Sequence, residues 1–217
     1  MDFKRKGFLF APTRVPQRII NMKEVVFKRN GEDLHAALYG DSSMGVVLCP
    51  PHPLYGGNRY DSRLVAVAAE LASNNISALC IDYKNYTGGK EEVEDVLAAI
   101  SYMNEEKEAL GLLGYSYGAV IASNAAVQTP TQIKGLVLMS PIKRIDSLEI
   151  DLSSGCPKLM LYGIHDPFVA GDFEDLFSEV KGRREKLALE TDHFYVGFED
   201  IVSTKVREFF RQLFLNK

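Results

Sequence analysis

The pentapeptide Gly114-Tyr115-Ser116-Tyr117-Gly118 matches G-x-S-x-G, a pattern that lifts a serine hydroxyl out of a tight strand-to-helix turn. It lies between an apolar run ending at Leu113 and a segment rich in Ala119, Ala122, Ala125 and Ala126. Glycines at both ends remove the side chains that would clash in so sharp a turn. The positive end of the following helix faces the reacting oxygen. The chemistry this suggests is attack by Ser116 on an acyl carbonyl. A plain corner with a capping serine is the competing reading.

A serine hydroxyl is a weak nucleophile at neutral pH and needs an adjacent base. The chain has four histidines: His35, His52, His165 and His193. His193 follows the last predicted strand, in Thr191-Asp192-His193-Phe194-Tyr195, and is the expected base. Asp166, in Gly163-Ile164-His165-Asp166-Pro167, follows another strand and lies between serine and histidine in the chain. Its expected role is to hold the imidazole tautomer and stabilise the imidazolium. Asp192 and Asp172 are the alternatives, Asp172 reading better as a helix cap. Charge developing on the carbonyl oxygen needs two backbone N–H donors. One is expected from Tyr117 and the other from the loop at 50–58. Pro50, Pro51 and Pro53 carry no N–H, which leaves Leu54 as the expected donor and Tyr55 in reserve. His52 is expected to tie this loop down, His35 to be a surface or packing residue, and His165 a loop residue able to touch substrate. Tyr55, Tyr115, Phe168 and Phe194 are the expected substrate contacts, with burial in the core as their alternative.

The elements that must position these residues follow from periodicity. Asn30-Gly31 between the runs 25–28 and 34–39 predicts an antiparallel hairpin. Short apolar runs at 45–49, 76–81, 110–113, 135–139, 158–162 and 186–189 predict strands. Helical spacing predicts helices at 62–73, 91–104, 117–127, 172–180 and 201–215. Such alternation indicates an α/β fold, a mainly parallel sheet covered on both faces. Functional groups then gather at the carboxyl ends of the strands, where Ser116, Asp166 and His193 all fall. Gly88-Gly89-Lys90 lacks the spacing of a phosphate-binding loop and reads as a turn into the helix at 91–104.

Pro51-His52-Pro53-Leu54-Tyr55-Gly56-Gly57, the elbow at 114–118, Gly163-x-x-Asp166-x-x-Val169 and Asp192-His193-Phe194 together resemble the compact, lidless α/β-hydrolases related to dienelactone hydrolases and small carboxylesterases. The likeness runs from about residue 24 to near the end of the chain. It implies the α/β-hydrolase fold, a triad at Ser116, Asp166 and His193, an oxyanion loop at 51–57, and hydrolysis of a carboxylic ester or related acyl bond. Relatives often read His-Pro-His-Pro where this chain has Pro50 first, and dienelactone hydrolases proper carry cysteine in the elbow. The serine in that place favours general esterase chemistry over dienelactone chemistry. Only 140–157 separates two strands where lids are commonly inserted, so no lid domain and an open site for a small or exposed acyl substrate are expected.

The chain of 217 residues is 46% hydrophobic with a net charge of −4, ordinary for a globular protein and lacking the basic excess of a nucleic-acid binder. The expected organisation is an N-terminal extension over 1–22 and a single domain over 23–217. Lys4-Arg5-Lys6 precedes an apolar run that Pro12 breaks too soon for a secretory leader, and no stretch approaches the roughly 20 apolar residues of a membrane span. A cytoplasmic protein without membrane partners is the expectation; a homo-oligomer remains open. Cys49, Cys80 and Cys156 are odd in number and widely spaced, which argues against disulfides or a zinc site. No cofactor or metal is expected.

Overall fold

The computed structural model describes residues 21–215, and its first element is the hairpin that Asn30-Gly31 predicts. β1 (Met22–Arg29) and β2 (Glu32–Tyr39) pair antiparallel, with Phe27 opposite Leu34. Asn30 and Gly31 both have positive φ, 51° and 89°, the twist that suits a two-residue hairpin turn. Then come β3 (Met44–Cys49), a 3-10 turn (Pro53–Tyr55), α1 (Ser62–Ser73), β4 (Ser77–Ile81) and α2 (Lys90–Asn104). β5 (Ala109–Tyr115), α3 (Tyr117–Gln128) and β6 (Ile133–Met139) follow. A small hairpin, β7 (Arg144–Ile145) and β8 (Leu148–Glu149), precedes β9 (Lys158–Gly163), α4 (Phe173–Glu179), β10 (Arg184–Leu189) and α5 (Glu199–Leu215).

Eight strands form one sheet in the order β1-β2-β4-β3-β5-β6-β9-β10. β2 runs antiparallel to β1 and β4; every other pair is parallel. The central strands are apolar on both faces because helices cover both. Val47, Leu110 and Leu112 pack toward α2 and α3, while Val46, Leu48 and Leu113 pack toward α1 and α5. This is the lidless α/β-hydrolase fold. The β7–β8 hairpin occupies the place where a lid would be inserted.

Three features differ from expectation. Strands of two residues are too short to show periodicity, so the β7–β8 hairpin has no sequence signal. The 3-10 turn lies in a proline-rich loop where no apolar period exists. β10 begins at Arg184, earlier than expected, because this edge strand alternates exposed Arg184, Lys186 and Ala188 with partly covered Glu185 and Leu187 instead of running apolar. The expected extension over 1–22 falls mostly outside the described residues. Among the described residues, no helix is long and apolar enough to cross a membrane.

Phe210 on α5 is fully buried against Gly111 of β5 and stacks on Phe214 at 5.6 Å. Phe210→Ala should lower unfolding free energy by about 3–5 kcal/mol, read from the urea midpoint. A loss below about 1 kcal/mol would mean that α5 does not anchor this face of the sheet.

Candidate active site

Ser116 is the single residue between β5 and α3, at φ 55° and ψ −114°. Non-glycine residues adopt such a conformation only when their surroundings impose it. Here the Ser116 N–H donates to the Met139 carbonyl on β6 at 2.8 Å. Any side chain at Gly114 would collide with the Gly118 carbonyl and Ala119, and any at Gly118 with the Cys49 and Pro50 carbonyls at the end of β3. The turn is therefore packed backbone against backbone, and the serine hydroxyl projects above the sheet.

That hydroxyl meets His193. Ser116 Oγ lies 3.0 Å from His193 Nε2, and His193 Nδ1 lies 2.7 Å from Asp166 Oδ2. Asp166 follows β9 and His193 follows β10, which are parallel neighbours. The loops beyond them are stitched together: Ile164 N–H donates to Leu189 O at 2.9 Å and His165 N–H to Thr191 O at 3.1 Å. Gly163 permits this approach, since a Cβ there would strike the Thr191 and Asp192 carbonyls. From below, the Tyr115 hydroxyl donates to the His193 carbonyl at 2.8 Å, and the Tyr195 hydroxyl pairs with Ser140 Oγ at 2.9 Å. Asp166 is fully buried. Burial would raise its carboxyl, but hydrogen bonds from His193, Ser140 and the Phe168 N–H outweigh this and leave it below its usual range. The arrangement can deprotonate a serine as it attacks a carbonyl.

The loop after β3 departs from expectation at Leu54. Its N–H, expected as the second oxyanion donor, donates instead to His52 Nδ1 at 3.3 Å, and Leu54 does not border the cavity above Ser116. The N–H groups of Tyr55 and Gly57 both donate to the His52 carbonyl, at 3.0 and 3.1 Å, so the reserve Tyr55 is engaged as well. His52 does tie the loop, and its imidazole is ringed by Tyr55, Tyr86 and Tyr117 at 4.7, 5.0 and 4.7 Å. Burial holds that imidazole below its usual pKa, in the neutral form that can accept from Leu54. The backbone N–H of His52 itself makes no hydrogen bond among the described residues, nor does that of Tyr117 at the start of α3. The Tyr117 ring is anchored below by a 2.6 Å hydrogen bond to buried Glu92 on α2.

A cavity of about 370 Å³ opens above Ser116 and His193. Tyr55, Phe168 and Phe194, all more than half exposed, stand on its walls. Tyr115 also borders it, but its ring is buried and its hydroxyl is engaged by His193, so it supports the base from within the core. His165 is exposed beside Glu190, 2.8 Å away, and His35 is exposed on β2; neither borders the cavity. Asp192 caps the Phe194 N–H, and Asp172 stands at the N-cap of α4 without a side-chain capping bond. Sequence reasoning missed Asp61 and Arg63 on the cavity wall and Glu92 beneath Tyr117. Asp61-Ser62-Arg63 opens a helix, and an aspartate immediately before a helical period is the signal that could have marked the first. Glu92 sits in an acid-loaded first turn, where burial has no sequence mark.

A family model described as serine aminopeptidase, S33, matches residues 53–164, which include Ser116 and stop short of Asp166 and His193. An uncharacterized protein of Rickettsia prowazekii (strain Madrid E) is 26% identical over 164 residues, covering 67% of this chain and 69% of that protein. An esterase of Pyrococcus furiosus superimposes with a TM-score of 0.77 at 17% identity, over 89% of this chain and 92% of that one. A serine hydrolase without a lid from Xanthomonas campestris gives 0.74 at 16% identity, over 88% and 94%. The two structures share this chain's fold.

Glu92 accepts hydrogen bonds from Tyr117, from the Thr87 side chain and N–H, and from the Gly89 N–H. Burial opposes its ionisation, but the Thr87 and Tyr117 bonds prevail and hold its pKa below 4.5. A depressed folded-state pKa contributes stability above the unfolded value, and that contribution is lost as pH falls through the folded one. Glu92→Gln should therefore be about 1–3 kcal/mol less stable than wild type at neutral pH, with the gap narrowing in acid. Urea unfolding at both pH values tests this; a gap that widens in acid would contradict an ionised Glu92.

Proposed function

The chain belongs to the serine aminopeptidase, S33, family and is a hydrolase; on that premise we propose that it is a serine esterase acting on small or solvent-exposed acyl substrates. The observation that carries the reading is the continuous hydrogen-bonded line from Ser116 through His193 to buried Asp166. Ser116 Oγ attacks the carbonyl carbon as its proton passes to His193 Nε2. The oxyanion is received by the N–H groups of Tyr117 and His52, both on residues that border the cavity and neither hydrogen-bonded among the described residues. His193 then delivers its proton to the departing alkoxide, leaving an acyl-serine. Water, deprotonated by the same imidazole, releases the acid and restores Ser116. Asp166 keeps Nδ1 protonated throughout and stabilises the imidazolium.

Charge on the cavity wall favours esters over the aminopeptidase activity in the family's description. Holding a substrate's α-ammonium requires a free carboxylate. Asp61 borders the cavity, but both of its oxygens are engaged by Arg63, and Asp166 is buried against His193. The open cavity beneath exposed aromatic rings suits short acyl groups, and one structural neighbour is itself an esterase.

Hydrolysis of p-nitrophenyl esters of increasing acyl length, with wild type beside Ser116→Ala, tests the reading. Short-chain activity should fall by at least about 10³-fold in the variant, and a fluorophosphonate should label wild type stoichiometrically and Ser116→Ala not at all. Activity that survives in Ser116→Ala would overturn the mechanism.

A further inference from the structure

We propose that Arg63, clamped by Asp61, forms a subsite that selects esters carrying an uncharged hydrogen-bond acceptor, such as a keto or amide oxygen, some bonds away from the scissile carbonyl. This rests on the esterase reading and deepens it. Asp61 caps α1, its Oδ1 accepting from the Arg63 N–H at 3.1 Å. The same carboxylate takes one edge of the guanidinium: Nε donates to Oδ1 at 2.9 Å and Nη2 to Oδ2. The remaining edge, at Nη1, makes no hydrogen bond among the described residues, and the side chain borders the cavity with 19% of its surface exposed. The guanidinium carbon lies 4.6 Å from the centre of the Tyr115 ring and 5.7 Å from that of the Phe194 ring. Both rings contact the His193 imidazole, at 5.4 and 5.7 Å. The open donor edge is thus one ring away from the base, and it is already held on one face and one edge. A donor so fixed loses little freedom on binding an acceptor.

Charge decides which acceptor. A lone guanidinium selects carboxylates by charge-assisted pairing. Here Asp61 neutralises Arg63, and the nearby Asp166 adds a buried negative charge, so the cavity wall carries no positive excess. A substrate carboxylate on the Nη1 edge would be attracted by Arg63 but also repelled by Asp61 from across the guanidinium. A neutral oxygen takes the donor edge without that opposition.

Three p-nitrophenyl esters of equal length test this: hexanoate, its analogue with a keto oxygen on the penultimate carbon, and the monoester of hexanedioic acid. kcat/KM is compared between esters within each protein, so partial loss of folded protein cancels. Wild type should favour the keto ester over hexanoate by about tenfold, the scale of one hydrogen bond to a charged donor. Arg63→Met and Arg63→Lys should bring that ratio to within about twofold. Asp61→Asn retains a capping residue and unmasks the guanidinium charge, so it should raise the carboxylate ester relative to the keto ester. A wild-type ratio near one, a ratio that survives both Arg63 variants, or the carboxylate ester as the best wild-type substrate overturns the subsite. Hexanoate hydrolysis that is absent, or that persists in Ser116→Ala, overturns the esterase reading and the subsite with it.

Discussion

Ser116 occupies a backbone conformation that only a heavily over-determined turn can hold, and the site is arranged around that constraint. The restraint comes from three directions. β6 supplies the Met139 carbonyl to the serine N–H. The end of β3 presses its carbonyls against Gly118, where nothing larger than hydrogen fits. Glu92 on α2 holds the Tyr117 ring, fixing the first residue of α3. Parallel packing in the order β3-β5-β6 makes the first two available at one end of the sheet, and α2 packed on α3 supplies the third.

The base and its partner are set by a different part of the same sheet. β9 and β10 run in parallel register, so their following loops emerge together and can share hydrogen bonds. Loops alone are poor platforms for groups that must be held to a fraction of an ångström. Here the Tyr115 hydroxyl from β5 holds the His193 carbonyl, and Tyr195, on the same loop as His193, reaches down to the Leu161 carbonyl of β9. The cost of burying Asp166 is offset by several donors, which keep it ionised and able to orient an imidazole.

His52 joins the two sides of the cavity. Its ring accepts the Leu54 N–H, its carbonyl takes two more amides, and three tyrosine rings surround it. The loop's first non-proline N–H, that of His52, makes no hydrogen bond among the described residues. Across the opening, Asp61 and Arg63 make a matched pair whose charge is cancelled but whose donor edge is not. Exposed aromatic rings line the cavity and leave it open.

Strand–helix alternation, the elbow at Ser116 and the placing of Asp166 and His193 at strand ends were legible in the residues alone. Each is written locally: apolar period, glycine spacing, and a polar residue just beyond an apolar run. Which loop amides are engaged was settled by tertiary packing: the His52 ring that accepts the Leu54 N–H is itself held by the Tyr86 and Tyr117 rings from distant parts of the chain. It also decided that Tyr115 supports the base from the core, that Glu92 is buried under Tyr117, and that Asp61 and Arg63 face the nucleophile. Those outcomes depend on side-chain direction and on contacts between residues far apart in the chain, such as Glu92 with Tyr117 and Tyr115 with His193. Local period and spacing carry no record of such contacts; the packing of the helices against the sheet creates them.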